Sequence, residues 1–279
     1  MEETKKYPHG KIFAHVARYI SALPDLSDKI VVDIPCGDGR ASEAFARKGA
    51  TVKAFDLYPE FNKAEGITAE YADMGEALPV DDESVDYLIC LEGVEHMPDK
   101  VSLFREFNRV LKKDGTLILT LPSVSNARAR VSMLLVESEL WRRVAPTELD
   151  AVWFSETSSD RLYFGHLFLV TVQHLQTICT LTGFDVEKRF YTRASGTSVF
   201  LGLLLYPLLI VGSLLSYFAY RKKVTHVDPV TRNRILWDRV KLNLSPTVVF
   251  SKHIFWVLRK TSNQAETHDM LRRLNRDRE

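Results

Sequence analysis

A doubly wound α/β fold is predicted for this 279-residue chain, and three observations predict it. Ile30–Val32 form a short apolar strand that ends in an acid, Asp33, and passes into a loop punctuated by Gly37 and Gly39. A helix follows from about Arg40 to Lys48. Thr51–Phe55 then read as a second strand closed by an isolated carboxylate, Asp56. Strand, acid, glycine loop, helix, strand and acid, in that order, make up the unit in which parallel sheets bind nucleotides at the carboxyl ends of their strands.

Each part has a physical role. Gly37 and Gly39 let the backbone approach a ligand where a side chain would collide. The helix start behind them offers free N–H groups. Asp56 lies about 17 residues after Gly39, where nucleotide sites of this kind place the acid that holds ribose hydroxyls. An adenosine-containing cofactor is therefore expected. A dinucleotide site would carry G-x-G-x-x-G and room for a pyrophosphate. Here the loop reads Asp33-x-Pro35-x-Gly37-x-Gly39, and an acid aimed into it suits a ligand with an amino group better than one with two phosphates.

This stretch resembles the first motif of class I S-adenosylmethionine-dependent methyltransferases, with Pro35 in place of the first glycine. That departure leaves the loop intact if the position has negative φ. The resemblance continues through Tyr71–Met74, Ala77–Pro79, Asp81–Cys90, Leu91–Pro98, Arg105–Pro122 and Gly183–Val186. These segments look like the adenine-binding strip and the fourth to sixth strands of that family. The resemblance implies a seven-stranded Rossmann-like methyltransferase sheet and S-adenosylmethionine as cofactor. Carried over by motif, Asp33 faces the methionine amino group, and Pro35, Gly37 and Gly39 form the loop. Asp56 holds the ribose, Asp73 with Met74 meets the adenine, and Leu57, Leu91 and Glu92 complete the site.

Composition narrows the function classes. A net charge of +1 leaves no broad basic excess to neutralise phosphates, so nucleic acid is not an expected partner. Cys36, Cys90 and Cys179 lack metal-ligand spacing and read as reduced, buried thiols of a cytoplasmic protein. The opening MEETKKYPHGKIF has no apolar core of a secretory leader. The expected organisation is a methyltransferase domain over 1–260, with a lid and acceptor region at 123–165 and a hydrophobic insertion at 198–245. A basic helical or disordered tail follows over 261–279.

The insertion is the second unusual feature. Ser198–Tyr220 carries no charge and is closed by Arg221, Lys222 and Lys223, long enough to cross a bilayer. In the resembled fold, however, a strand at His253–Leu258 must return antiparallel between the fifth and sixth, so both ends of the insertion lie on one face. Pro207 favours a break in the middle, and Tyr206, Tyr217 and Tyr220 suit a headgroup layer. Arg232–Asn243 suits an interfacial helix. Contact with the membrane surface through 198–245 without spanning, at its cytoplasmic face, is the preferred reading. A homodimer interface or an internal core is the alternative.

On the acceptor side, Glu92, Glu95 and His96 follow the fourth strand. His96 is the candidate base for its neutral-range titration. His166, in Tyr163–His166, resembles a Gly-His of methyltransferases from bacterial surface-glycan gene clusters and is the second catalytic candidate. His9, His15, His226, His253 and His268 have no evident partners in the sequence. Arg128, Arg130, Arg142 and Arg143 among Trp141, Trp153 and Phe154 suit a sugar- or phosphate-bearing acceptor, or equally a membrane-facing helix. No cluster of acids near the acceptor is legible, so no metal is expected. The resulting expectation is O-methylation of a lipid-linked or polysaccharide intermediate. A quinone or other lipid methyltransferase, or a cofactor-binding scaffold without turnover, are the alternatives.

Overall fold

The structure, a computed structural model, describes residues 10–139, 147–149, 151–154, 162–194 and 196–276. Its first half alternates helix and strand: α1 (Gly10–Ser21), β1 (Ile30–Asp33), α2 (Arg40–Ala46), β2 (Thr51–Asp56), β3 (Ala69–Tyr71), β4 (Val85–Leu91), α3 (Lys100–Val110) and β5 (Leu111–Pro122). Next come α4 (Ala127–Val136), the short strands β6 (Val152–Phe154) and β7 (Leu162–Phe164), α5 (Val172–Leu181) and β8 (Phe184–Arg189). The last part is α6 (Gly196–Lys223), α7 (Pro229–Leu244), α8 (Pro246–Val249), β9 (His253–Lys260) and α9 (Gln264–Leu274).

Seven strands form one sheet in the order β3-β2-β1-β4-β5-β9-β8, while β6 and β7 pair separately. β9 is antiparallel to both neighbours, as expected for 253–258. The central strands are buried on both faces, so successive side chains enter opposite cores. Val32, Leu88, Leu117 and Leu258 are in register across the sheet and pack with Phe104, Phe107 and Leu175 from α3 and α5. Their neighbours Val31, Ile89, Ile118 and Val257 pack on the other side with Ile12, Val16 and Ile20 of α1 and Phe45 of α2.

The insertion leaves and rejoins the sheet at one point: Ala194 forms a β-bridge with Ser251. Between them α6 and α7 form an antiparallel hairpin. Tyr206 donates to the Leu244 carbonyl, and Asn243 donates to Ser213 Oγ at 2.8 Å. Tyr217 sits edge-on to Trp237, and Arg232 donates to the Val224 carbonyl at 2.9 Å. α4 joins through Arg130, which donates to Asn243 Oδ1 at 2.8 Å and to the Ser125 carbonyl at 2.7 Å.

Pro207 does not break α6, contrary to the expectation from sequence; the helix is continuous through it. The bonds to α7 on either side of Pro207 hold the axis across the missing N–H. The inward face of α6 is Ser198, Gly202, Tyr206, Leu209, Ser213 and Tyr217, while Phe200, Leu203, Leu204, Leu208, Val211, Leu215 and Phe218 point outward. Phe200 is 69% and Leu208 67% exposed. This helix faces its small and polar residues inward and its apolar residues outward.

Candidate active site at the carboxyl edge of the sheet

The cofactor loop is built by backbone geometry. Gly37 and Gly39 have φ of 51° and 81°, left-handed values that L side chains rarely adopt. A Cβ on Gly39 would lie 2.6 Å from the Ala64 Cβ, whereas one on Gly37 would meet nothing within 4 Å. The first glycine therefore leaves an open cradle, and the second closes the loop on its own protein. Pro35 packs beneath the loop, where a Cβ on Gly93 would strike its ring at 2.6 Å.

Two carboxylates frame the cradle. Asp56 accepts from the Gly37 N–H at 2.8 Å and the Tyr58 N–H at 2.9 Å, so the expected ribose acid also braces the loop. Asp33 is fully buried. Its Oδ2 accepts from Ser42 Oγ at 2.6 Å, and its Oδ1 has no hydrogen-bond partner. Burial pushes its pKa up to about 7, and an incoming ammonium group would supply the missing partner and favour ionisation. Asp73 accepts from the Gly75 N–H at 2.7 Å, shaping the turn beside half-buried Met74, while Leu57 and Leu91 are half-buried at the ends of their strands. Open cradle, buried unpartnered acid and ribose acid fit a nucleoside that carries an amino acid.

Glu92 marks the step from cofactor to acceptor. It has φ +50° just beyond β4, a conformation that costs a non-glycine residue about 1–3 kcal/mol and gathers at functional sites. Its N–H is held by the Thr120 carbonyl at 2.9 Å, and its carboxylate lies 3.3 Å from His253 Nδ1. His253, for which the sequence showed no partner, thus belongs to the site.

The two catalytic candidates meet. His96, in the 3-10 turn Val94–His96 after β4, lies with its ring centroid 5.4 Å from that of His166, just after β7. His96 Nδ1 is 2.5 Å from the Phe164 carbonyl. A carbonyl has no hydrogen to give, so Nδ1 carries the proton and Nε2 keeps its lone pair. Burial, followed by the His166 ring, lowers the His96 pKa from 6.5, against the opposing bond to Phe164. Glu95 is 0% exposed, and neither carboxylate oxygen has a hydrogen-bond partner. Burial, followed by the charge of Glu92, pushes its pKa well up, and it lies 4.0 Å from His96 Nε2.

The methyltransferase domain family known as Methyltransf_11 matches residues 32–119, the span from Val32 in β1 to Leu119 in β5. A ubiquinone biosynthesis O-methyltransferase of Xanthomonas oryzae pv. oryzae is 34% identical over 137 residues, which is 46% of this chain and 56% of that protein. One from Xanthomonas campestris pv. campestris is 33% identical over 140 residues with the same coverage. The chain thus spans little more than half the length of these relatives. The fold matches an S-adenosylmethionine-dependent methyltransferase of Archaeoglobus fulgidus with a TM-score of 0.53 at 16% identity, covering 93% of this chain and 97% of that one. Residues 32–119 are thus similar to a methyltransferase domain, and the fold as a whole is that of the Archaeoglobus fulgidus enzyme.

Within this fold, Asp33, Gly37, Gly39 and Asp56 converge on one loop, and the rings of His96 and His166 face each other beyond β4. Of the lid residues, Trp141, Arg142 and Arg143 lie outside the described residues. Arg130 turns away from the acceptor side into the α6/α7 contact. Glu95, His96 and His166 place donor atoms within 4.8 Å of one another, a carboxylate and imidazole set of the type that binds borderline divalent cations. Sequence reasoning missed this grouping, because His166 arrives from a strand pair about 70 residues away. The Glu-His pair after a predicted strand was the available signal.

Proposed function

We propose that the chain transfers a methyl group to a hydroxyl of an acceptor that partitions into a membrane, at its cytoplasmic face. The juxtaposed His96 and His166 carry the catalytic half of this reading. When bound in the cradle, S-adenosylmethionine supplies a methyl carbon already activated on a sulfonium. His96 Nε2 holds the lone pair that takes the hydroxyl proton as the acceptor oxygen attacks, and the Phe164 carbonyl stabilises the resulting imidazolium at Nδ1. His166 orients the acceptor, and the burial of His96 keeps water from its ring.

The membrane half rests on α6. Its outward apolar face would be costly in water, and contiguous patches of this kind mark interaction surfaces. α7 runs alongside it and carries Arg232, Arg234, Asp238, Arg239 and Lys241. Crossing the bilayer would drag these charges into hydrocarbon, so the hairpin lies in the interface plane. The proposed acceptor is a lipid-linked glycan intermediate. A quinone precursor is the second reading, favoured by the named activity of the Xanthomonas relatives.

Labelled methyl transfer from S-adenosylmethionine into membrane extracts tests this. Label is expected in the organic-extractable lipid fraction. His96→Gln should lower the rate about 10²- to 10⁴-fold without weakening cofactor binding. Mild acid release of the label with a sugar identifies the glycan, while retention on a redox-active ring identifies the quinone. Label confined to water-soluble products would overturn the reading.

A further inference from the structure

At the far end of the α6/α7 hairpin a cavity of about 180 Å³ opens between three chain segments, lined by Tyr220, Val224, His226, Arg232, Leu236 and Leu274 among others. Arg232 reaches in from the first turn of α7. One of its terminal nitrogens is fixed on the Val224 carbonyl, but its Nε is buried with no hydrogen-bond partner. A buried guanidinium N–H left unpaired is costly, and the fork geometry of this group matches a phosphate. Most of the remaining lining is apolar, through Val224, Val227, Ile235, Leu236 and Leu274.

Charge converges on the same place. Arg221, Lys222 and Lys223 end α6, Arg234 follows Arg232, and Arg272 and Arg273 lie in the last turn of α9 beside Leu274. The nearby acid Asp228 is engaged as the α7 cap, accepting from the Val230 and Thr231 N–H groups. The cavity therefore offers a positive, partly dry pocket where the outward apolar face of α6 meets its basic end. We propose that this cavity binds the phosphate of an anionic phospholipid headgroup, with Arg232 as the fork and His226 and Tyr220 beside it. This inference rests on the proposed membrane contact and gives it a specific lipid.

The full chain is to be floated with vesicles of phosphatidylcholine alone and of phosphatidylcholine with phosphatidylglycerol, with S-adenosylmethionine binding as the check that each variant is folded. Arg232→Lys keeps the charge but removes the fork. It is expected to weaken binding to the phosphatidylglycerol vesicles at least tenfold while leaving binding to phosphatidylcholine unchanged. Lys222→Gln, an exposed charge removed, should cost about fivefold, as one surface charge near anionic lipid does. Unchanged phosphatidylglycerol binding by Arg232→Lys overturns the site. If the wild-type chain binds neither vesicle, the membrane reading has failed, and titration with soluble glycerol 1-phosphate decides the rest. Saturable binding that Arg232→Lys abolishes makes this a site for a soluble phosphate ester and overturns the lipid assignment. No binding removes the site altogether.

Discussion

The glycine loop after β1 and the helix α6 solve opposite problems. In the loop, apolar strand residues go inward and the polar backbone is turned toward a small polar ligand: Gly37 leaves space, and Asp56 ties the Gly37 N–H. In α6 the order is reversed. Ser198, Gly202 and Ser213 are buried, while Phe200, Leu203, Leu204 and Leu208 face out. One region is shaped for a solute in water and the other for an apolar neighbour. A substitution of the same kind should therefore have different consequences in the two.

The largest expected effect is in the loop. Gly39→Ala meets both a left-handed backbone and the contact with Ala64, together about 3 kcal/mol, or a hundredfold loss of S-adenosylmethionine affinity by calorimetry. An unchanged Kd would show that the loop can relax, and the contrast with α6 would weaken. Next comes Asp56→Ala, which removes charge-assisted bonds to the loop and to the ribose, about 1.5–3 kcal/mol, read in the same titration.

A third test uses protons. Asp33 has its free-state pKa raised to about 7 by burial, and a bound ammonium would lower it. At pH 6 the free protein holds this proton and the complex gives it up. Binding should thus release up to one proton, and affinity should rise with pH until about 7, by at most tenfold per pH unit. Calorimetry in buffers of different ionisation enthalpy measures the release, and Asp33→Asn should abolish it. The smallest effect belongs to the outer face of α6. Leu208→Ser should change stability in buffer by no more than about 0.5 kcal/mol, whereas Gly202→Ala, whose Cβ would lie 2.4 Å from the Phe250 ring, should lower the Tm clearly. Equal Tm losses would mean that the outer face is packed in solution, as in a dimer.

The parts that were legible in the sequence depend on local order. The strand, glycine loop and Asp56 are close together along the chain, and the runs Ile30–Val32 and Thr51–Phe55 marked the first two strands. The insertion of β9 between β5 and β8 was accessible through the resemblance rather than through any local pattern. What was not legible depends on distant segments meeting. Glu92 and His253 read as unrelated, yet they are 3.3 Å apart because β9 begins beside the end of β5. His226 looked isolated and lines a cavity with Arg232. Pro207 looked like a break, but its effect is overridden by tertiary bonds that a one-dimensional reading does not contain.

The late position of β9 has a consequence for synthesis. Its two partner strands are complete by Arg189, but residues 196–244 must leave the ribosome before the strand that joins them exists. Until then β5 and β8 present unpaired edges, which are templates for aggregation. The apolar hairpin is thus complete before the sheet can close. A nascent chain that ends between Leu244 and His253 holds both hairpin helices, while β5 and β8 still lack the strand that joins them.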